Sequence, residues 1–153
     1  MDVTQEIREL LDSNGIVYQY FEHAPTPTSK EAARVRGTTE EQGAKALVFR
    51  SKGNFFMFVL PGDRKADFSK MKAILNTRSM SMATHEEVEK VTHCIPGGVP
   101  PFGNLFSIPV FVDRSLLRND MIAFNAGKQT VSIMLKTEDW LRTVKPIIEE
   151  FSV

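Results

Sequence analysis

Two apolar segments separated by a short polar turn constrain the fold of this chain more than any other feature. The segments are residues 44–49 and 55–60, and Ser51-Lys52-Gly53-Asn54 joins them. Aliphatic and aromatic residues fill both segments, and a glycine-containing turn between two such runs predicts a β-hairpin. Neither segment alternates between apolar and polar residues, so we expect other elements to cover both faces of the hairpin.

Helices are predicted where apolar residues recur at helical spacing beside a capping residue. The first helix has the apolar stripe Val3, Ile7, Leu10 and Leu11. It is expected to end at Asn14-Gly15. The expected N-caps of four more helices are Thr28, Asp67, Thr84 and Thr137. Gly37 should end the first of these, and Pro146 should kink or restart the last.

Further strands are predicted at residues 16–21, 107–112, 121–125 and 130–135. Hairpins outnumber clean βαβ units, which favours an α+β domain with a mixed, mostly antiparallel sheet. The sequence has no internal repeat and no long linker. We therefore expect residues 1–153 to form a single domain.

Composition excludes several classes of function. Nineteen basic and nineteen acidic residues cancel, so no overall field attracts long nucleic acids, and any contact with them must be local. No apolar run is long enough to cross a membrane, and the first residues do not resemble a secretory signal. One cysteine cannot form an internal disulfide. The expected location is the cytosol.

Lys45 is the only charged residue among the five that begin with Ala44. A buried ammonium without a partner is costly or loses its proton, so a lysine in this position calls for a specific role. The alternative is a solvated charge that protects a strand end from pairing with another chain.

The segment Pro96-Gly97-Gly98-Val99-Pro100-Pro101-Phe102-Gly103 is too rich in glycine and proline to be a helix or a central strand. Consecutive glycines allow backbone amides to point into one concavity and to bind an anion or an oxyanion. A rigid connection without a ligand is the alternative. We expect this loop and Lys45 to meet across one pocket that takes an anionic or ester-bearing ligand.

The sequence gives little evidence for a metal site, a cysteine or serine nucleophile, or a phosphate-binding loop. His23, His85 and His93 lie in separate segments without zinc-ligand spacing, and Cys94 precedes an apolar residue as core cysteines do. No Gly-x-Ser-x-Gly motif occurs, and no Gly-Lys-Ser/Thr follows the glycine loop. No metal ion or cofactor is expected.

The order of these segments resembles the YbaK/ProRS-associated superfamily, the aminoacyl-tRNA deacylases related to the editing domain inserted in bacterial prolyl-tRNA synthetases. The similarity spans nearly the whole chain. The matching segments are His23 with Thr28 ahead of Glu31-Ala32-Ala33, Ala44-Lys45-Ala46-Leu47-Val48, Leu60-Pro61-Gly62-Asp63-Arg64, Gly97-x-x-x-Pro101 and Asn125-Ala126-Gly127. Each is weak alone, but their order and spacing together indicate the family.

The resemblance implies a mixed sheet that forms a barrel-like core packed by helices, and an enzyme that hydrolyses the ester between a wrong amino acid and its tRNA. The implied catalytic residues are Lys45, Gly97, Gly98, Val99, Pro100 and Pro101. The implied substrate-binding residues are His23, Thr28, Ala46, Asp63, Arg64 and Gly127. The attacking group would be water, held by the loop backbone and the terminal ribose, while the lysine positions the substrate.

The substrate stays open, because Ala46 stands where relatives dedicated to one substrate often carry threonine or asparagine. Candidates are alanine, serine, threonine and cysteine on proline or alanine tRNA. Expected partners are the tRNA acceptor end and an aminoacyl-tRNA synthetase. Basic residues that could touch the acceptor end, or simply be solvated, are Lys30, Arg34, Arg36, Lys65, Lys70 and Lys72. Two alternatives are a non-catalytic tRNA- or synthetase-binding module and a hydrolase of unrelated small esters or thioesters.

Overall fold

The computed structural model describes residues 1–153 and combines five α-helices with eight strands. The helices are α1 (Val3–Ser13), α2 (Ser29–Arg36), α3 (Phe68–Ile74), α4 (His85–Thr92) and α5 (Thr137–Val144). The strands are β1 (Tyr18–Glu22), β2 (Ala44–Ser51), β3 (Asn54–Pro61), β4 (Ser81–Met82), β5 (Val110–Asp113), β6 (Met121–Asn125), β7 (Val131–Lys136) and β8 (Ile147–Glu149). None of the helices is long and apolar enough to cross a membrane.

The predicted hairpin is present as β2 and β3. Its turn is Lys52-Gly53, and both residues have positive φ, at 53° and 81°. Two-residue turns of this kind match the natural twist of the strands. The loop is shorter than expected because Ser51 and Asn54 pair with each other. The register places Lys45 opposite Leu60, near the open end of the hairpin.

The strands form two sheets. The larger has the order β4-β2-β3-β5-β8 and the smaller has the order β1-β7-β6. The β3–β5 and β5–β8 pairs are parallel, and the remaining pairs are antiparallel. A backbone bridge between Gly43 and Ala123 connects the sheets. The mixed, mostly antiparallel arrangement confirms the predicted α+β class, although the strands stay in two open sheets instead of closing into one barrel.

The two faces of the hairpin are covered by different apolar clusters, as its sequence predicts. One face contributes Val48 and Val59 to the main core, which also contains residues of α1, α4, α5, β6 and β7. The other face contributes Phe49 and Phe58 to a smaller cluster with Met71 of α3. Burial on both faces fixes the register, and therefore the place of Lys45.

Three of the four predicted helix caps are confirmed. The side chains of Thr28, Asp67 and Thr84 each accept a hydrogen bond from the backbone amide three residues later. Thr137 is not a cap, because it is the first residue of α5 and its hydroxyl donates to the carbonyl of Asn119 at 2.5 Å.

Several strand predictions need correction. The strand expected at residues 16–21 begins at Tyr18, and the one expected at 107–112 begins at Val110, after a 3₁₀ helix at Gly103–Phe106. Pro146 does not restart a helix, because β8 follows it and pairs in parallel with β5. Strand β4 was not predicted either, and it pairs with the far half of β2.

Candidate active site

Lys45 and the glycine–proline loop meet at one cavity of about 210 Å³. Its walls come from the beginning of α2, the first half of β2, the loop and the end of β6. The lining residues are Thr26, Pro27, Thr28, Ser29, Ala32, Arg36, Gly43, Ala44, Lys45, Ala46, Leu47, Gly97, Val99, Asn125 and Gln129. The two segments that the sequence singled out therefore lie side by side.

The ammonium of Lys45 is half-buried and has one protein acceptor. Its Nζ donates to the carbonyl oxygen of Arg64 at 2.8 Å, and no carboxylate forms an ion pair with it. Burial lowers the pKa of Lys45, and the nearby charge of Asp63 partly opposes that shift. Because an ammonium has three donors, two stay free for a ligand.

Carbonyl groups of the loop are turned toward the protein and are occupied. The carbonyl of Gly97 accepts from Nδ2 of Asn125 at 2.6 Å, and that of Gly98 accepts from the amide of Gly127 at 2.9 Å. Pro101 lies deeper, where its carbonyl accepts from the indole of Trp140 at 2.9 Å. These bonds fix the loop against the core and against β6.

Two free amides of the loop belong to residues that line the cavity. The amides of Gly97 and Val99 donate to no protein acceptor, whereas the amide of Gly98 donates to the carbonyl of Ile95 at 3.0 Å. The expected row of donors therefore skips Gly98. Gly97 has φ of 91°, a conformation that glycine adopts without strain.

Arg36 is a second cation at the cavity, and it is almost fully buried. Its guanidinium donates to Oγ of Ser132 at 2.8 Å and to Oδ1 of Asn125 at 2.9 Å. Burial lowers the pKa of Arg36 to about 10. The sequence predicted that Arg36 would touch the acceptor end or be solvated, but it lies on the same helix face as Ala32 and Ala33, four and three residues earlier.

His23 supports the site from outside the cavity. Its Nδ1 lies 2.8 Å from the carbonyl of Ala24, and its Nε2 lies 2.8 Å from Oγ of Ser132. In the neutral imidazole, Nδ1 therefore donates and Nε2 accepts the hydroxyl proton, which leaves Oγ to accept from Arg36. A continuous chain of hydrogen bonds thus runs from His23 through Arg36 and Asn125 to the loop.

Of the other residues implied by the resemblance, some line the cavity and most lie outside its lining. Thr28 and Ala46 line the cavity beside Lys45. The residues outside its lining are His23, Asp63, Arg64, Gly98, Pro100, Pro101 and Gly127. Of these, Arg64 reaches the site through its carbonyl and Gly127 through its bond to the loop.

No histidine, cysteine, aspartate or glutamate lines the cavity. No three such side chains converge elsewhere in the molecule as a metal site would require. Cys94 is buried, which raises the pKa of its thiol to about 11. The cavity therefore offers two cations, free backbone amides and neutral polar groups. Such a set can bind an anion or polarise a carbonyl group.

Fold and cavity together define a small α+β domain whose main cavity is lined by a lysine and by two residues with free main-chain amides. Residues 23–143 match the family described as the aminoacyl-tRNA editing domain. The multifunctional Ser/Thr-tRNA deacylase ProXp-y of Escherichia coli (strain K12) is 34% identical over 152 residues, which cover 96% of this chain and 91% of that protein.

Two more comparisons agree. The prolyl-tRNA editing protein ProX of Acetoanaerobium sticklandii is 26% identical over 151 residues, covering 95% of this chain and 92% of ProX. A crystal structure described as a candidate trans-editing enzyme for prolyl tRNA synthetase has the same fold, with a TM-score of 0.89, 24% identity and coverage of 100% and 98%. This chain belongs to the aminoacyl-tRNA editing domain family, as its sequence segments indicated.

Proposed function

We infer that this protein is a free-standing aminoacyl-tRNA deacylase, which hydrolyses the ester that joins a mischarged amino acid to the terminal ribose of tRNA. Relatives that match along almost their whole length are named for this activity. The observation that carries the inference is that Lys45 lines one cavity together with Gly97 and Val99, whose amides have no protein acceptor.

In this reaction water adds to the ester carbonyl carbon, and the carbon–oxygen bond to the ribose then breaks. The ribose oxygen takes a proton, and the products are a free amino acid and uncharged tRNA. We assign the amides of Gly97 and Val99, which have no protein acceptor, as the donors to the oxygen that becomes negative. Lys45 orients the substrate through the two donors that Arg64 leaves free.

So few groups are sufficient because the substrate is already activated. Positioned oxyanion donors accelerate acyl transfer by about 10²–10³. A water held for attack adds roughly 10²–10⁴ when its proton is taken up in the same step. No protein base lines the cavity, so we assign the free hydroxyl of the terminal ribose as a relay, which accepts the proton of the water and passes its own proton to the leaving ribose oxygen. No covalent intermediate with the protein is needed.

The amino acid that we place first is serine or threonine. The Escherichia coli relative is named a Ser/Thr-tRNA deacylase, and the hydroxyl-bearing residues Thr26 and Ser29 border the cavity. Alanine and cysteine are the remaining candidates. The acceptor end of a mischarged tRNA is the macromolecular partner, an aminoacyl-tRNA synthetase is a further one, and the cytoplasm is where they would meet.

The test is release of amino acid from a panel of mischarged tRNAs, carrying serine, threonine, alanine or cysteine on proline and alanine tRNA. The unchanged protein should deacylate at least one of them, and Lys45→Ala should lower that rate by about 10² or more while the melting temperature is maintained. Lys52→Ala is the matched control, because Lys52 lies at the opposite end of the same hairpin and is exposed.

Two results would contradict the proposal. If the unchanged protein binds tRNA but releases no amino acid, it is a binding module of the same fold. If it hydrolyses free small esters as fast as aminoacyl-tRNA, the nucleic acid is not its substrate. Equal rates for Lys45→Ala and Lys52→Ala would remove Lys45 from the mechanism.

A further inference from the structure

The position of the Lys45 ammonium depends on one peptide group, the carbonyl of Arg64. Arg64 follows β3 in a turn whose own hydrogen bond, from the amide of Arg64 to the carbonyl of Pro61, is long at 3.2 Å. At the start of the turn, the amide of Gly62 also donates to the carbonyl of Gly43 at 2.9 Å. Beyond Arg64, the chain is held by a segment far away in sequence, residues 151–153.

Residues 151–153 run antiparallel to residues 65–67, with an isolated β-bridge between Ser152 and Ala66. The amide of Lys65 donates to the carbonyl of Val153 at 2.9 Å, and the amide of Val153 donates back at 2.8 Å. The amide of Asp67 donates to the carbonyl of Phe151 at 2.7 Å. These three backbone bonds hold the chain on the far side of Arg64.

The side chain of Arg64 adds a second attachment to the same segment. Its Nε donates to Oγ of Ser152 at 2.6 Å, and its Nη2 donates to the carbonyl of Ser152 at 3.2 Å. The carbonyl that accepts from Lys45 and the guanidinium that donates to Ser152 therefore belong to one residue. Movement of Ser152 is transmitted directly to the acceptor of the lysine.

Asp113 at the end of β5 anchors the segment to the core. This carboxylate is 3% exposed and accepts from the amides of Phe151 at 2.7 Å and Ser152 at 3.0 Å. It also accepts from Oγ of Ser152 at 2.8 Å. Because the hydroxyl of Ser152 has one proton, which it gives to Asp113, its oxygen is free to accept from Arg64.

We propose that residues 151–153 position Lys45 for deacylation, and that Ser152 is the positioning residue that links the buried Asp113 to Arg64. The inference rests on the proposed function for its kinetic consequences. Ser152 touches neither the cavity nor the ammonium, so it acts only through Arg64. Loss of this link lets the carbonyl of Arg64 move and leaves the ammonium without a fixed direction.

The test compares Ser152→Ala with Ser51→Ala. Both serines are 6% exposed, and each binds a distant segment through its hydroxyl. Ser51, however, lies at the turn end of the hairpin, far from Lys45. Ser152→Ala should lower the rate constant for deacylation of bound substrate by about tenfold or more, with little change in KM, because a hydrogen bond among charged groups is lost. Ser51→Ala should lower it less than about twofold.

Two further variants separate positioning from instability. Ser152→Thr keeps the hydroxyl and should restore most of the rate. Arg64→Met keeps the carbonyl that binds Lys45 but loses both bonds to Ser152, so it should also lower the rate at saturating substrate. A rise in KM alone for Arg64→Met, or equal rates for Ser152→Ala and Ser51→Ala, would overturn the proposal.

A measurement without substrate makes the result independent of the proposed function. In the ¹⁵N spectrum of the lysine side chains, Ser152→Ala should raise the pKa of Lys45 toward its ordinary value, since a loosened ammonium is better hydrated. An unchanged titration of Lys45 would overturn the positioning role even if the protein is a deacylase. A shift in a protein without deacylase activity would support the role of Ser152 and reject only the proposed reaction.

Discussion

The two walls of the cavity are held by opposite charges and present different groups to a substrate. On the loop wall, the buried cation Arg36 binds Asn125, which binds the carbonyl of Gly97. On the lysine wall, the buried anion Asp113 binds the segment that holds Arg64, whose carbonyl binds Lys45.

The difference explains how a pocket with two cations is built. The guanidinium of Arg36 donates to two neutral side chains inside the protein, Ser132 and Asn125, and Asn125 in turn binds the loop. The charge of Lys45 stays available, because a single carbonyl binds it. We therefore expect changes on the loop wall to act through backbone geometry and changes on the lysine wall to act through charge.

The largest effect is expected from Gly97→Ala on the loop wall. Gly97 has φ of 91°, and an added Cβ would collide with the side-chain amide of Gln129. Shifting this residue moves one of the two free amides, so single-turnover deacylation should fall by about 10²-fold. Gly53→Ala is the control, because its φ of 81° brings the same strain into an open turn. Equal losses in the two variants would mean that the loop amides do not contribute.

Arg36→Met should have the next largest effect. Without the guanidinium, Asn125 loses its donor and the loop is less well placed, so deacylation should fall roughly tenfold. The free energy of unfolding should change by less than about 2 kcal/mol, because lost hydrogen bonds and the relieved burial of a charge oppose each other. Arg78→Met, which changes an exposed arginine outside the cavity lining, should leave the rate unchanged. A rise in KM without a slower reaction would place Arg36 on the substrate instead.

Asp113→Asn tests the lysine wall through pH. Burial raises the pKa of Asp113, but hydrogen bonds from Ser115, Phe151 and Ser152 outweigh it and lower the pKa below its usual value. The stabilisation is therefore present above the ordinary pKa of about 3.9 and is lost as the pH falls through the lower folded value. In urea titrations, the variant should be less stable by about 2–3 kcal/mol at pH 7, and this gap should narrow below pH 4. A gap that is constant with pH would show that the carboxylate is not the stabilising form.

His23→Leu should give the smallest effect. His23 is separated from the loop by Ser132, Arg36 and Asn125. The variant therefore loses only one hydrogen bond of that chain, the bond to Ser132. A net loss of about threefold in the deacylation rate corresponds to one such bond. A loss as large as that of Gly97→Ala would instead mean that His23 contacts the substrate directly, as the family resemblance implied.

Features that depend on neighbouring residues were predictable from the sequence. The caps Thr28, Asp67 and Thr84 each accept from a backbone amide three residues later, so a short stretch of sequence contains both partners. The hairpin was equally clear, because its two strands are long, apolar and separated by a short turn. We expected Lys45 to meet the loop because the sequence offers little evidence for other site chemistry, and the family resemblance agreed with that expectation.

Features that depend on distant residues were not predictable. β8 has only three residues, with both isoleucines exposed, and it exists because β5 accepts it in parallel. Thr137 looked like a cap, but a carbonyl eighteen residues earlier binds its hydroxyl. Arg36 looked solvated because charge usually marks a surface, and only the folded chain shows the neutral partners that surround it.

The donors that we assign to the ester oxygen are peptide groups, and this has an evolutionary consequence. A point mutation exchanges a side chain but cannot delete a main-chain N–H, proline excepted. Lineages can therefore exchange Thr26, Ala46 or Leu47 and drift toward new amino acids without rebuilding the reactive centre. Directed evolution of this scaffold should accordingly find altered selectivity more readily than outright inactivation at those three positions.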